Sequence, residues 1–176
     1  TTQSIIATTS GSYTVTVTNA SGCFATSNAT AVTVNALPIA TITSGGATTF
    51  CAGGSVTLTS SAGSSYLWST GATTQSIIAT TSGSYTVTVT NASGCSATSA
   101  TTAVTVNDLP TVTISAGGAT TFCAGGSVIL TSSNGASYLW SNGATTQSIL
   151  VTTAGSYSVT VNNANGCSAT SAATTI

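Results

Sequence analysis

Gly83-Ser84-Tyr85-Thr86-Val87-Thr88-Val89-Thr90 decides how this chain folds. Tyr85, Val87 and Val89 fall on one side of an extended backbone and Thr86, Thr88 and Thr90 on the other, the period of two that belongs to a half-buried strand. β-Branched residues suit such a pleated surface, where their stiff side chains pack against cross-strand neighbours. Val56 with Leu58, and Val104 with Val106, repeat the alternation, so a helix is not credible anywhere along this unit. The reading predicts strands over 40–43, 55–60, 65–69, 75–79, 84–90 and 97–107, separated by Gly-rich turns. Together they form a β-sandwich with aliphatic and aromatic residues inside and threonine outside.

The stretch is not unique. Thr-Thr-Gln-Ser-Ile opens at Thr1, Thr73 and Thr145, a period of 72 residues, and residues 1–72 and 73–144 agree at 60 positions and differ at 12. A long internal repeat means tandem units, and any site must recur in each of them. Asp108 stands where the preceding repeat has Ala36, so it is read as a solvated linker residue. Asn35-Ala36-Leu37-Pro38 and Asn107-Asp108-Leu109-Pro110 each hold the only proline of their repeat and follow a Val-Thr-Val run, which is how a strand ends and a linker begins. The expected domains are 37–107 and 109–176, the latter truncated in its last strand, with 1–35 the C-terminal part of an earlier one. The chain therefore reads as a stretch of something longer.

Composition narrows the chemistry. Among 176 residues there is no Lys, Arg or His and one acid, while Thr and Ser number 41 and 29. Without cations nothing neutralises phosphates, so nucleic acids and anionic membrane surfaces are not expected partners. Without His, Lys, Arg or Glu there is no ordinary general base, no Schiff-base amine and no imidazole ligand. No enzyme, cofactor or metal site is expected, and a calcium site of several carboxylates is excluded by the single acid. No run of about 18 apolar residues marks a membrane span, and no charged-then-apolar segment marks a signal peptide.

Cys51-Ala-Gly-Gly-Ser-Val-Thr-Leu, Ser65-Tyr-Leu-Trp-Ser, Gly83-Ser-Tyr-Thr-Val-Thr-Val and Asn91-Ala-Ser-Gly-Cys95 resemble the tandem immunoglobulin-like repeats of very large secreted surface proteins of gliding and other Bacteroidetes bacteria, filamentous adhesins among them. The resemblance spans the whole chain. It implies an all-β chain of tandem immunoglobulin-like sandwiches, with Trp68 and Trp140 at the central tryptophan and Tyr13, Tyr85 and Tyr157 at the tyrosine corner. The usual disulfide between sheets is missing, with Leu58 and Val87 in its place. Trp68 and Tyr66 are read as a core pair rather than a sugar-stacking platform, and Phe24, a serine in the next repeat, as incidental.

Cys23, Cys51, Cys95, Cys123 and Cys167 form two series at the repeat period. No C-x-x-C spacing and no other metal ligand accompany them, so they are read as disulfides in an oxidising exterior. Proximity in sequence suggests Cys51–Cys95 and Cys123–Cys167 inside each domain, leaving Cys23 to a partner upstream. The strand order implied by the resemblance favours another pairing. There Cys51 sits at the end of a domain where the chain leaves and Cys95 at the opposite end, roughly 20 Å away, beyond the reach of a disulfide. The exit end of one domain faces the entry end of the next, which favours Cys51–Cys167 between domains, with Cys23, Cys95 and Cys123 pairing elsewhere.

A sheet protein with neither Lys at its edges nor net charge is expected to associate with itself. The chain is expected to be a structural repeat region of an extracellular, cell-surface filament or adhesin stalk, of the kind that serves gliding, adhesion or biofilm cohesion, with copies of itself as partners and surface glycans as a further class. The alternative is a carbohydrate-binding or ice-binding surface module, the latter suggested by threonine arrays. The sequons at Asn19, Asn28 and Asn91 are common by chance in Ser/Thr-rich sequence, and the bacterial resemblance gives no reason to expect N-glycans there.

Overall fold

The computed structural model describes residues 3–176, and among them there is no helix, hence none long and apolar enough to cross a membrane. The first repeat carries β1 (Gly11–Tyr13), β2 (Thr16–Thr18), β3 (Phe24–Thr26) and β4 (Thr30–Val32). The second carries β5 (Ile42–Ser44), β6 (Thr49–Cys51), β7 (Val56–Ser60), β8 (Ser65–Trp68), β9 (Ser76–Ala79), β10 (Gly83–Tyr85), β11 (Val87–Thr90), β12 (Ser96–Thr98) and β13 (Thr102–Asn107). The third carries β14 (Ile114–Ala116), β15 (Val128–Ser132), β16 (Ser137–Trp140), β17 (Ser148–Val151), β18 (Ser156–Tyr157), β19 (Val159–Asn162), β20 (Ser168–Thr170) and β21 (Thr174–Thr175).

The chain is all-β, a tandem array of immunoglobulin-like sandwich domains, and the third repeat displays the sandwich most directly. Two antiparallel sheets, ordered β14-β15-β17 and β16-β19-β20, each turn one face inward. Val128, Leu130, Ile149 and Val151 from the first meet Trp140, Val159 and Val161 from the second in one buried cluster, with Ile114, Phe122, Tyr138, Tyr157 and Ile176 packed at its margin. Each large aliphatic side chain so buried contributes about 1.5–3 kcal/mol. The second repeat has the sheets β5-β7-β9, β8-β11-β12 and β10-β13-β6, and buries the matching residues Val56, Leu58, Trp68, Ala79, Val87 and Val89.

Two compact units divide these elements. One takes in the chain up to Ile42 with Ser60–Gln75 and Thr86–Ala100, and so holds the β8-β11-β12 sheet. The other takes in Thr43–Thr59, Ser76–Tyr85 and Thr101–Ile176.

The structure departs from the sequence reading at four points. The strand expected over 84–90 is broken at Thr86, because β10 pairs with β13 whereas β11 pairs with β8 and β12. The strand expected over 97–107 is likewise divided into β12 and β13, with Ser99 Oγ accepting from Val87 N and donating to Ala100 O in the gap. A strand that was not expected, β6, runs parallel to the end of β13, with Cys51 opposite Asn107. Nor is the outside purely threonine: Leu67, Ile78, Ile129, Leu139 and Leu150 are all more than half exposed on the outer positions of their strands.

Candidate functional site

The residues singled out from sequence separate into a core set and a joint set. Trp68 and Trp140 are each 2% exposed, and their indole Nε1 atoms donate to the carbonyls of Thr74 and Thr146 at 2.8 Å. Both ring faces are therefore unavailable for stacking on a sugar. Tyr66 is half-buried, its hydroxyl donating to Gly63 O and accepting from Gly63 N. The corner tyrosines donate from Oη to the carbonyl four residues earlier, Tyr13 to Thr9, Tyr85 to Thr81 and Tyr157 to Thr153. Tyr85 is buried, whereas Tyr13 and Tyr157 are half-buried.

The joint begins with two turns. Cys51-Ala52-Gly53-Gly54 closes with a hydrogen bond from Gly54 N to Cys51 O, and its glycines serve different ends. Gly53 takes φ +90°, a conformation that L residues rarely adopt. At Gly54 a Cβ would press on Cys51 O and the Phe50 ring, each 3.1 Å away. The second turn, Asn163-Ala164-Asn165-Gly166-Cys167, is organised by the side chain of Asn163. Its Oδ1 accepts from Asn165 N and Cys167 N, both at 3.0 Å, while Gly166 N donates to Asn163 O and Asn163 N to Cys167 O.

These turns grip one linker from two sides. Asn107 O accepts from Ala52 N at 2.8 Å, continuing the parallel pairing of β6 with β13. Asn163 Nδ2 donates to the next carbonyl, that of Asp108, also at 2.8 Å. Cys167, fully buried, lies with Sγ 3.8 Å from Asn107 O and is bonded to Cys51, with 5.6 Å between the two Cα atoms. Every atom of this arrangement lies in the second unit. The disulfide joins residues 116 apart, from either side of the Asn107–Pro110 linker.

Half of the same arrangement recurs around Asn35-Ala36-Leu37-Pro38, within the first unit. Asn91 Nδ2 donates to Ala36 O at 2.8 Å, Asn91 Oδ1 takes Ser93 N and Cys95 N, and the Cys95 thiol points at Asn35 O, 3.9 Å away. Cys23, Cys95 and Cys123 are free thiols in this structure, so the within-domain pairs Cys51–Cys95 and Cys123–Cys167 are not formed.

Sequence reasoning missed the asparagines. Asn91 enters the sequence reading only within the resembling segment Asn91–Cys95 and as a sequon, yet its amide nitrogen is committed to the linker carbonyl. The signal available was the recurrence of Asn-x-x-Gly-Cys at Asn19, Asn91 and Asn163. Asn19 makes the same two Oδ1 bonds, to Ser21 N and Cys23 N.

No protein-family model and no curated protein sequence matches this chain. Solved structures do. Three N-terminal domains of the bacteriophage RB49 highly immunogenic outer capsid protein are 24% identical at a TM-score of 0.39, covering 78% of this chain. The chain spans 58% of that structure's length. A structure described as host cell surface retention of a 1.5-MDa bacterial ice-binding adhesin is 21% identical at a TM-score of 0.37, with 92% and 72% of the two chains covered. SGBP-B of the Bacteroides ovatus mixed-linkage glucan utilization locus, in complex with a mixed-linkage heptasaccharide, is 18% identical at a TM-score of 0.27, with 95% and 52% covered.

Proposed function

We propose that these repeats are the shaft of an extracellular filament or adhesin stalk at the cell surface, a structural role without catalysis in which copies of the chain associate side by side. The observation that carries the reading is the Cys51–Cys167 bond across the Asn107–Asp108 linker. A linker is ordinarily where a string of domains bends. Here its carbonyls are taken by Ala52 N on one side and Asn163 Nδ2 on the other, and a covalent bond closes over them. Disulfides persist in oxidising exteriors, which supports the location.

The surface supports lateral association. The net charge is −1 over 176 residues, so copies repel one another little. Exposed Thr pairs bond to each other through Oγ1, Thr16 to Thr26, Thr88 to Thr98 and Thr160 to Thr170, and Thr88 and Thr160 stand opposite the exposed Leu67 and Leu139 in the strand register. A glycan-binding role has less support, since both tryptophans are buried.

Electron cryo-microscopy of unreduced material tests the reading. A filament with an axial repeat of roughly 30–40 Å, the length of one small sandwich built on strands of this size, is the expected result. Dispersed single chains under the same conditions would overturn it.

A further inference from the structure

The third repeat contains three Asn-Gly pairs, Asn134-Gly135, Asn142-Gly143 and Asn165-Gly166, where the second has Ala62-Gly63, Thr70-Gly71 and Ser93-Gly94. In an Asn-Gly pair the glycine backbone nitrogen can attack Cγ of the asparagine, because no Cβ obstructs it. Two features of a fold govern how readily this happens. The glycine must be loosely enough packed for its backbone to turn the nitrogen onto Cγ, and a donor on Oδ1 stabilises the oxyanion of the tetrahedral intermediate, as a fixed N–H does in any acyl transfer.

The three pairs differ in these two features. At Asn134, Oδ1 accepts from Gln147 Nε2 at 2.9 Å, but Gly135 is packed so tightly that a Cβ there would collide with Val161 Cγ1 and lie 3.1 Å from Asn162 O. At Asn165 the glycine is open, with nothing within 4 Å of a Cβ on Gly166, yet no donor reaches Oδ1 among the described residues. Asn142 alone has both. Its Oδ1 accepts from Ala144 N at 3.1 Å, and nothing lies within 4 Å of a Cβ on Gly143. In all three pairs the glycine N–H is itself hydrogen-bonded, to Tyr138 Oη, Trp140 O and Asn163 O, so that requirement does not rank them.

We propose that Asn142 is a site of spontaneous covalent modification, the position at which the folded chain converts asparagine to aspartate and isoaspartate. Hydroxide removes the Gly143 amide proton, the nitrogen bonds to Cγ, and the Cγ–Nδ2 bond breaks with release of ammonia. Water then opens the succinimide at either carbonyl. No oxidant or reductant takes part. The product adds a second negative charge to a chain that has one, on an exposed turn directly after the core residue Trp140. The second repeat, with Thr70 at this place, is exempt.

The test is incubation of the native, unreduced chain in mildly alkaline water enriched in heavy oxygen, followed by chymotryptic digestion and mass spectrometry. Cleavage after Leu130, Tyr138, Trp140, Leu150 and Tyr157 puts the three asparagines on separate peptides. The Asn142 peptide is expected to gain heavy oxygen several-fold faster than the other two, and the three rates are expected to converge in the reduced, unfolded chain. Asn134 or Asn165 converting as fast as Asn142 in the folded chain would overturn the proposal, as would a ranking that survives unfolding. In Asn142→Thr the gain on that peptide is expected to vanish, and its persistence would assign the reaction to another residue.

Discussion

Asn163 Nδ2 and the carbonyl oxygen of Asp108 stand 2.8 Å apart across 55 residues of sequence, and Asn91 and Ala36 repeat that bond at the same distance and the same separation. One side chain thus shapes its own turn through Oδ1 and fastens the linker before it through Nδ2. The disulfide at the second linker is laid over a contact that already exists without it at the first.

Replacing Asn163 by alanine removes one bond to the linker and two within the turn, leaving a linker carbonyl and two backbone N–H groups to find water. The expected cost is about 1–3 kcal/mol in denaturant unfolding with the disulfide intact. An unchanged midpoint would mean that the Cys51–Cys167 bond alone fixes the linker.

Cys51→Ser or Cys167→Ser opens a loop of more than a hundred residues, which in the chain-entropy model costs about 5 kcal/mol. The linker Asn107–Pro110 should then become a preferred cleavage site for proteinase K in an otherwise folded chain. Trypsin is no use for this comparison, because there is no Lys or Arg to cut at. Equal proteolysis of the bridged and serine forms would show that the hydrogen bonds suffice.

Trp140 fills the centre of the third repeat's core and spends its one polar atom on Thr146 O. Trp140→Ala should cost about 3–5 kcal/mol through the cavity it leaves. Trp140→Phe keeps much of the apolar volume but leaves the Thr146 carbonyl unpaired, and its cost should fall closer to 1 kcal/mol plus the loss of volume. Similar costs for the two variants would indicate that the hydrogen bond, not the packing, dominates.

The core was legible in the sequence and the joint only in part, for reasons visible in single residues. Tyr85, Val87 and Val89 announce their buried face by alternation, and the alternation carries on through Thr86 because a change of strand partner leaves no mark on side-chain order. Thr49-Phe50-Cys51 is too short to show a period, and it is a strand only because Thr105–Asn107, far along the chain, lies beside it. Asn163 in an Asn-x-x-Gly turn reads as turn chemistry, and nothing local reveals that its amide reaches 55 residues back. The cysteines could be paired from the strand order of a resembling family. The exposed Ile and Leu residues ran against the expected threonine exterior, since alternation fixes which face a residue occupies and not what chemistry that face carries.

Those exposed apolar residues give the sharpest test of lateral association. Ile129 and Leu150 are opposite one another in the register of β15 and β17, at 51% and 64% exposure, with their side chains on the outer face of the sheet. A lysine at either place is tolerated by a solvated strand position and adds the cation that natural sheet proteins use against edge and face pairing. Leu150→Lys and Ile129→Lys should therefore leave the unfolding midpoint within about 0.5 kcal/mol of the parent. In sedimentation velocity they should shift the chain towards single copies, and added salt should restore association by screening the new charge. If the lysine variants assemble as readily as the parent at low salt, this face is not where copies meet, and the Thr88–Thr98 face becomes the one to charge next.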